Sequence, residues 1–202
     1  MVNGGFAYGY LHVAQNPNTE NVFNKILSDL RPSKVLEIGT MHGGLTLMVR
    51  DILDNIGCSK SIIRTYDINK QEFLIPLVDN RVEVVTKNLF NDNYSDFKDD
   101  LCKKEIEDFI SSGEPTLVLC DGGCKKCEYN LIAPFLKDGD VIMAHDYSPN
   151  KDYFNEFVKN KIWDWLEIED NDISDSVKKY SLIPFLQEAA QQAAWSCKIK
   201  SL

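Results

Sequence analysis

Short apolar runs alternate along this chain with stretches whose apolar residues recur at helical spacing, and that alternation leaves few architectures open. Val22, Phe23, Ile26, Leu27 and Leu30 fall on one helix face behind the capping pair Asn18-Thr19, and Arg31-Pro32 ends the run. Lys34–Ile38 reads as a short apolar strand. After a glycine turn, Leu45, Met48, Val49, Ile52, Leu53 and Ile56 form the cleanest helical stripe, with Gly57 where a helix-ending glycine belongs. Ser61–Tyr66 and Val82–Thr86 read as the second and third strands, with a short helix near Gln71–Leu77 that Pro76 disturbs. Phe97, Leu101, Ile106, Phe109 and Ile110 mark a longer helix that stops at Gly113-Glu114-Pro115. Thr116–Cys120 is apolar throughout, as suits a central strand covered on both faces. A helix around Lys126–Leu136 and a fifth strand over Asp140–Ala144 follow.

Strands joined through helices require right-handed crossovers, so the pattern predicts an α/β chain with an open, doubly wound, mostly parallel sheet. The C-terminal part is less regular. Asp152–Trp163 reads as a helix, and Trp165–Ile168 and Trp195–Ile199 as strands. The acidic run of Glu167, Glu169, Asp170, Asp172 and Asp175 reads as a solvated loop. At 202 residues, one domain over 1–202 is expected. Within it, the aromatic, glycine-rich residues of 1–18 are either a lid over an acceptor site or a flexible tail.

Charge narrows the partners. The 22 Lys and Arg stand against 31 Asp and Glu, a formal charge of −9. Phosphate backbones and anionic membrane surfaces recruit clustered Lys and Arg, so neither nucleic acid nor membrane is expected as a partner. A small-molecule acceptor fits better. No Lys or Arg precedes Glu20, and no uncharged apolar run approaches the roughly 20 residues that span a bilayer. A cytoplasmic protein with reduced thiols is expected, since six cysteines are too dilute for a disulfide scaffold.

In open α/β sheets, ligands bind beyond the carboxyl ends of the strands. Those ends carry Glu37-Ile38-Gly39-Thr40-Met41-His42-Gly43-Gly44, then Asp67, Asn88, Asp121-Gly122-Gly123 and His145-Asp146. Gly39 and Gly43 allow a tight turn, and the helix after Gly44 presents free N–H groups. Met41 stands where a dinucleotide fingerprint needs its second glycine, which argues for a ligand without a pyrophosphate. Asp67, at the end of the second strand, can accept both hydroxyls of a ribose.

The run Arg31-Pro32-Ser33-Lys34-Val35-Leu36-Glu37-Ile38-Gly39-Thr40-Met41-His42-Gly43-Gly44-Leu45-Thr46 resembles the first motif of class I S-adenosylmethionine-dependent methyltransferases. Its Gly-Thr and Gly-Gly detail is similar to the branch holding macrolide-sugar O-methyltransferases and cephalosporin hydroxylase-type proteins. Asp121, and Leu136 to Tyr147 with His145-Asp146, resemble the second half of that branch and also the metal-dependent catechol O-methyltransferases. The resemblance covers about residues 20–150. It implies a Rossmann-like, seven-stranded fold and O-methylation of a small-molecule hydroxyl. Gly39, Thr40, Gly43 and Gly44 would hold the methionine part of the cofactor, Asp67 the ribose and Asn88 the adenine side. Glu37 and Asp121 would complete the carboxylate lining.

The same resemblance implies a divalent cation, Mg²⁺ or another, on Asp121, Asp146 and the residue at His145. Such an ion would lower the pKa of the acceptor hydroxyl and orient it. Imidazole in place of the branch's usual carboxylate shifts preference toward Mn, Fe or Zn. The branch has an acidic or His base where this chain has Gly122-Gly123. Lys125 is the substitute, provided burial lowers its pKa; Lys125 and His145 are therefore the candidate catalytic residues. His145 also admits a metal-dependent hydroxylase or oxidase on the same scaffold, and the missing base admits a non-catalytic cofactor-binding protein.

Cys120, Cys124 and Cys127 resemble the cluster-binding triplet of radical S-adenosylmethionine enzymes, but that family needs an early loop of a larger barrel. With His145 they could hold Zn²⁺, yet the usual paired knuckle spacing is absent. His12 and His42 read as packing or solvated residues.

Overall fold

Strand register does most to place the site. The computed structural model describes residues 5–69 and 80–201. Its main sheet contains β3 (Lys34–Ile38), β4 (Ile62–Asp67), β5 (Val82–Thr86), β6 (Thr116–Cys120), β7 (Val141–Ala144), β8 (Leu182–Pro184) and β9 (Ser196–Lys200). A separate hairpin pairs β1 (Phe6–Tyr8) with β2 (Leu11–Val13). The seven strands run in the order β5-β4-β3-β6-β7-β9-β8, and only the pairings of β9 with β7 and with β8 are antiparallel. Ile38 lies opposite both Tyr66 and Cys120, and Cys120 lies opposite Ala144. The residues that follow this row, Gly39, Asp67, Asp121 and His145, therefore emerge side by side at one edge of the sheet.

Helices α1 (Thr19–Leu30), α2 (Gly44–Asn55) and α7 (Gln187–Gln191) cover one face; α3 (Asp100–Ser111), α4 (Lys125–Ile132) and α6 (Asp170–Lys179) cover the other. The stripes expected on α1 and α2 face the sheet, while in α3 Leu101, expected on the buried face, is exposed. In α2, Leu45, Met48, Val49, Ile52 and Leu53 are buried against Val35, Ile63 and Leu117. In α3, Cys102, Ile106, Phe109 and Ile110 do the same on the opposite face, where Asp99 accepts the Cys102 N–H as an N-cap. All five residues of β6 are buried, which is why its sequence carries no polar alternation.

The C-terminal part departs from expectation. The short α5 (Lys151–Tyr153) passes into a π-helical turn over Phe154–Val158, so the helix expected to reach Trp163 stops early. Trp165–Ile168 is not a strand; only Ile168 forms a bridge, with Tyr147, and Trp165 is exposed. The acidic run is not a solvated loop either. Glu169 and Asp172 form a capping box at the start of α6, and Asp170 accepts the Tyr147 hydroxyl at 2.8 Å. Clustered carboxylates stabilise a helix N-terminus, where N–H groups point outward. Strand β8 has three residues and ends in Pro184, too little for a period-two signal. The helix expected near Gln71–Leu77 lies outside the described residues.

Candidate active site

A cavity of about 270 Å³ opens at the strand ends. Gly39, Met41, Asp67, Asn88, Asp121, Gly122 and Glu128 line it, with Phe90 and Tyr94 from the loop after β5. The size is at the low end for a cofactor site. Four of the residues expected to hold cofactor, Gly39, Asp67, Asn88 and Asp121, thus meet at one opening. Gly39 has φ +96°, and a Cβ there would stand 2.3 Å from the Asp121 carbonyl oxygen. Only glycine lets the β3 turn pass so close to the end of β6.

Asp67 accepts the Met41 and Asn69 N–H groups, each at 2.8 Å. It thereby fixes the glycine loop to β4 and still faces the cavity. The Asn88 side chain accepts the Phe90 N–H at 3.2 Å. The other expected cofactor residues support the opening from beneath. Thr40 is buried, its hydroxyl 2.6 Å from that of Thr65. Glu37 is wholly buried and accepts from the Thr46 hydroxyl, while its second oxygen has no hydrogen-bond partner among the described residues. Burial pushes its carboxyl up to about 7, against the Thr46 and Thr65 hydroxyls and with help from Asp121 and Asp67. Gly43 and Gly44 lie away from the lining. A Cβ on Gly44 would meet the His12 carbonyl oxygen at 2.3 Å, because the β1–β2 hairpin packs on the start of α2.

Behind the cavity lies a buried polar cluster. His145 Nδ1 is 3.2 Å from both Asp121 Oδ1 and Asp146 Oδ1, and its ring packs at a tilt against Trp163 and Trp195, each centroid 5.0 Å away. Its Nε2 is buried and has no hydrogen-bond partner among the described residues. Asp146 accepts from the Trp163 indole N–H on Oδ1, and Lys125 Nζ is 2.9 Å from Oδ2. Lys125 also donates to Glu167 at 2.9 Å and to the Gly122 carbonyl at 3.1 Å. Burial alone would lower the Lys125 pKa, but Asp121, Asp146 and the bonds to Asp146 and Glu167 outweigh it and hold the ammonium above its usual value. Burial would raise Asp146; His145, Lys125 and the Trp163 N–H together hold it below the usual carboxylate range. Asp146 adopts φ +57°, a strained backbone that Asp tolerates better than most residues.

The sequence did not point to several members of this cluster. Gln15 donates to Asp121 at 2.6 Å, lies 3.3 Å from His145 Nδ1 and accepts the Trp195 indole N–H at 3.1 Å. No motif marks such a residue; it arrives because β2 leads the chain across the site. Trp163 and Glu167 come from the irregular C-terminal segment. Glu128, one turn into α4, accepts the Gly122 and Cys124 N–H groups at 3.1 Å each. Burial pushes its carboxyl up to about 7, opposed by those two bonds and by Lys125.

The metal-ligand set read from the sequence is brought together but is not arranged as a cation site. Asp146 is engaged by Lys125 and Trp163, and Asp121 by Gln15. Among the described residues, no group of three His, Cys, Asp or Glu could hold a metal ion. The donors as placed do not fit a divalent ion, and the cation beside Asp146 is the Lys125 ammonium. Cys124 and Cys127 form a disulfide, while Cys120 is buried and separate from it, so the cysteine triplet is no cluster site. The disulfide also corrects the expectation of reduced thiols at that pair.

No family model matches the chain, and no curated protein matches it in sequence. Solved structures do match. An apo structure of CmcI superposes with a TM-score of 0.66 at 13% identity, over 98% of this chain and 76% of that one. An O-methyltransferase family protein from Burkholderia thailandensis gives 0.60 at 12% identity, over 91% and 55%. The MycE methyltransferase of the mycinamycin biosynthetic pathway, in complex with Mg, SAH and mycinamycin VI, gives 0.51 at 10%, over 89% and 48%. The fold is that of class I S-adenosylmethionine-dependent methyltransferases. In fold, the chain resembles CmcI and MycE. No helix among the described residues is long and apolar enough to cross a membrane.

Proposed function

We propose that this chain is an S-adenosylmethionine-dependent methyltransferase that acts on a hydroxyl group of a small molecule. The observation that carries the reading is the convergence of Gly39, Asp67, Asn88 and Asp121 on one cavity at the strand ends. The SAH in structures of CmcI and MycE, and the mycinamycin in the latter, support cofactor and acceptor class. When bound, S-adenosylmethionine supplies an electrophilic methyl group on a sulfonium. Asp67 would take the ribose hydroxyls, Asn88 would face the adenine, and Asp121 would lie near the positive sulfur. The acidic character of the crevice suits a cationic cofactor.

The acceptor hydroxyl must lose a proton. Lys125 is a poor base, because its three N–H donors are engaged and its pKa is held up. His145 is the better candidate, since its Nε2 lacks a partner while Nδ1 faces two carboxylates. The ring is only 2% exposed, packed by Trp163 and Trp195 with Gln15 against its Nδ1 edge, so an acceptor would reach Nε2 only by shifting that cover. That cover comes with the N-terminal hairpin, which supports a lid role for this segment. Mg is present in structures of CmcI and MycE, but here the donors as placed do not fit a divalent ion, which would have to displace Lys125 from Asp146. Calorimetry with S-adenosylhomocysteine tests the central claim. Saturable binding at micromolar concentration is expected, and no binding below about a millimolar Kd, roughly −4 kcal/mol, would overturn it.

A further inference from the structure

The Cys124–Cys127 disulfide has no part in the reading above, yet it lies in the chain between the cavity-lining Gly122-Gly123 and Glu128. Both cysteines are half-buried and joined by a disulfide, with Cα atoms 5.3 Å apart. The other described cysteines are placed differently: Cys102, Cys120 and Cys197 are buried, and Cys58 lies at the end of α2. Cys124 is the residue that precedes and caps the start of α4.

The ring closed by the disulfide adjoins the site through Cys124 and Lys125. The Cys124 N–H and the Gly122 N–H share the Glu128 carboxylate, so the wall residue Gly122 and the first turn of α4 are held as one unit. Lys125, inside the ring, reaches Asp146, Glu167 and the Gly122 carbonyl. Lys126, also inside it, reaches Asp172 on α6 at 3.4 Å. The covalent bond fixes the turn from which all of these contacts start. Opening it frees the first turn of α4 and loosens the Gly122–Gly123 wall.

We propose that Cys124 and Cys127 are a reversible thiol–disulfide exchange site whose oxidised form preorganises the adjoining cavity, with a low-molecular-weight disulfide as the oxidant. In the oxidation, the Cys124 thiolate attacks one sulfur of the small disulfide and expels one thiolate. Cys127 then attacks Cys124 Sγ in the mixed disulfide and expels the second. The two thiol protons end on the two released thiols, and two electrons pass from the pair to the reagent. Where disulfides occur in reducing compartments, they are commonly transient and redox-sensing. The coupling to ligand rests on the methyltransferase reading; the exchange itself does not.

Linkage makes the coupling measurable twice. A ligand that binds the oxidised form tenfold more tightly must lower the midpoint potential of the pair by about 30 mV, because the same free energy appears in both equilibria. The full chain is equilibrated in a series of reduced and oxidised glutathione mixtures, with and without S-adenosylhomocysteine. Differential alkylation and mass spectrometry read the redox state of each cysteine, and calorimetry reads the affinity of the end states. The expected result is a two-electron transition confined to Cys124 and Cys127, about tenfold tighter binding to the oxidised form, and a matching fall in potential. A Cys124→Ser/Cys127→Ser variant should bind with the reduced form's affinity in every buffer. A pair that never exchanges across the series overturns the site, and equal affinity in both states overturns the coupling. If neither form binds the ligand, the methyltransferase reading and the coupling fall together, while alkylation still decides the exchange.

Discussion

The Lys125 ammonium stands 2.9 Å from Asp146 Oδ2, and each side chain is only 8% exposed. A buried pair of this kind matters less for what it adds than for what is left when one member goes. The charge beside Asp146 is one that belongs to the chain itself.

Lys125→Met should therefore leave Asp146 as an uncompensated buried carboxylate and cost about 3–5 kcal/mol in urea denaturation. The double variant Lys125→Met/Asp146→Asn should recover part of that loss. A loss under about 1 kcal/mol, typical of surface pairs, would show that the contact is incidental.

A divalent ion and the ammonium compete for the same oxygen. Lys125→Met should bind Mg²⁺ or Mn²⁺ about tenfold more tightly than the native chain, roughly 1.4 kcal/mol, in calorimetry of metal-depleted protein. Equal affinities would place any cation site away from Asp146.

Asp67→Ala should weaken S-adenosylhomocysteine by roughly 1–3 kcal/mol through loss of the ribose acceptor. Because Asp67 also holds the Met41 and Asn69 N–H groups, Asp67→Asn separates the two effects. Unchanged affinity in both variants would remove Asp67 from the ligand site.

Glu37 has an ordinary value of 4.5 and a folded one near 7, so between these pH values the folded chain keeps a proton that the unfolded chain has lost. Stability from this group is full below pH 4.5 and falls as pH rises toward 7, by up to about 3 kcal/mol. Glu128 acts in the same direction, and the depressed Asp146 acts only at more acid pH. Urea midpoints from pH 5 to 7.5 should decline, and Glu37→Gln should flatten about half of that decline. An unchanged slope in the variant would refute the assignment.

Gly44→Ala would drive a methyl group into the His12 carbonyl. The hairpin should lift while the sheet remains, so limited proteolysis should cut near residues 5–15 faster than in the native chain with little change in circular dichroism. Equal cutting rates would mean that the hairpin adapts in place.

Local pattern determined much of this protein. The helical stripe on α2, the fully apolar β6 and the glycine turn after Ile38 each depend on neighbours a few positions away, and each was readable as sequence. So were the strand ends that bear Asp67, Asn88 and Asp121, because a carboxyl-end position follows from where a strand stops. Tertiary structure alone decided which groups meet. Gln15 reaches Asp121 across 106 positions and Trp195 across 180. Lys125 is held charged because Asp146 and Glu167 arrive from separate segments, Asp146 buried and Glu167 still about half exposed. Protonation and burial depend on distances in space, and spacing along the chain does not encode them.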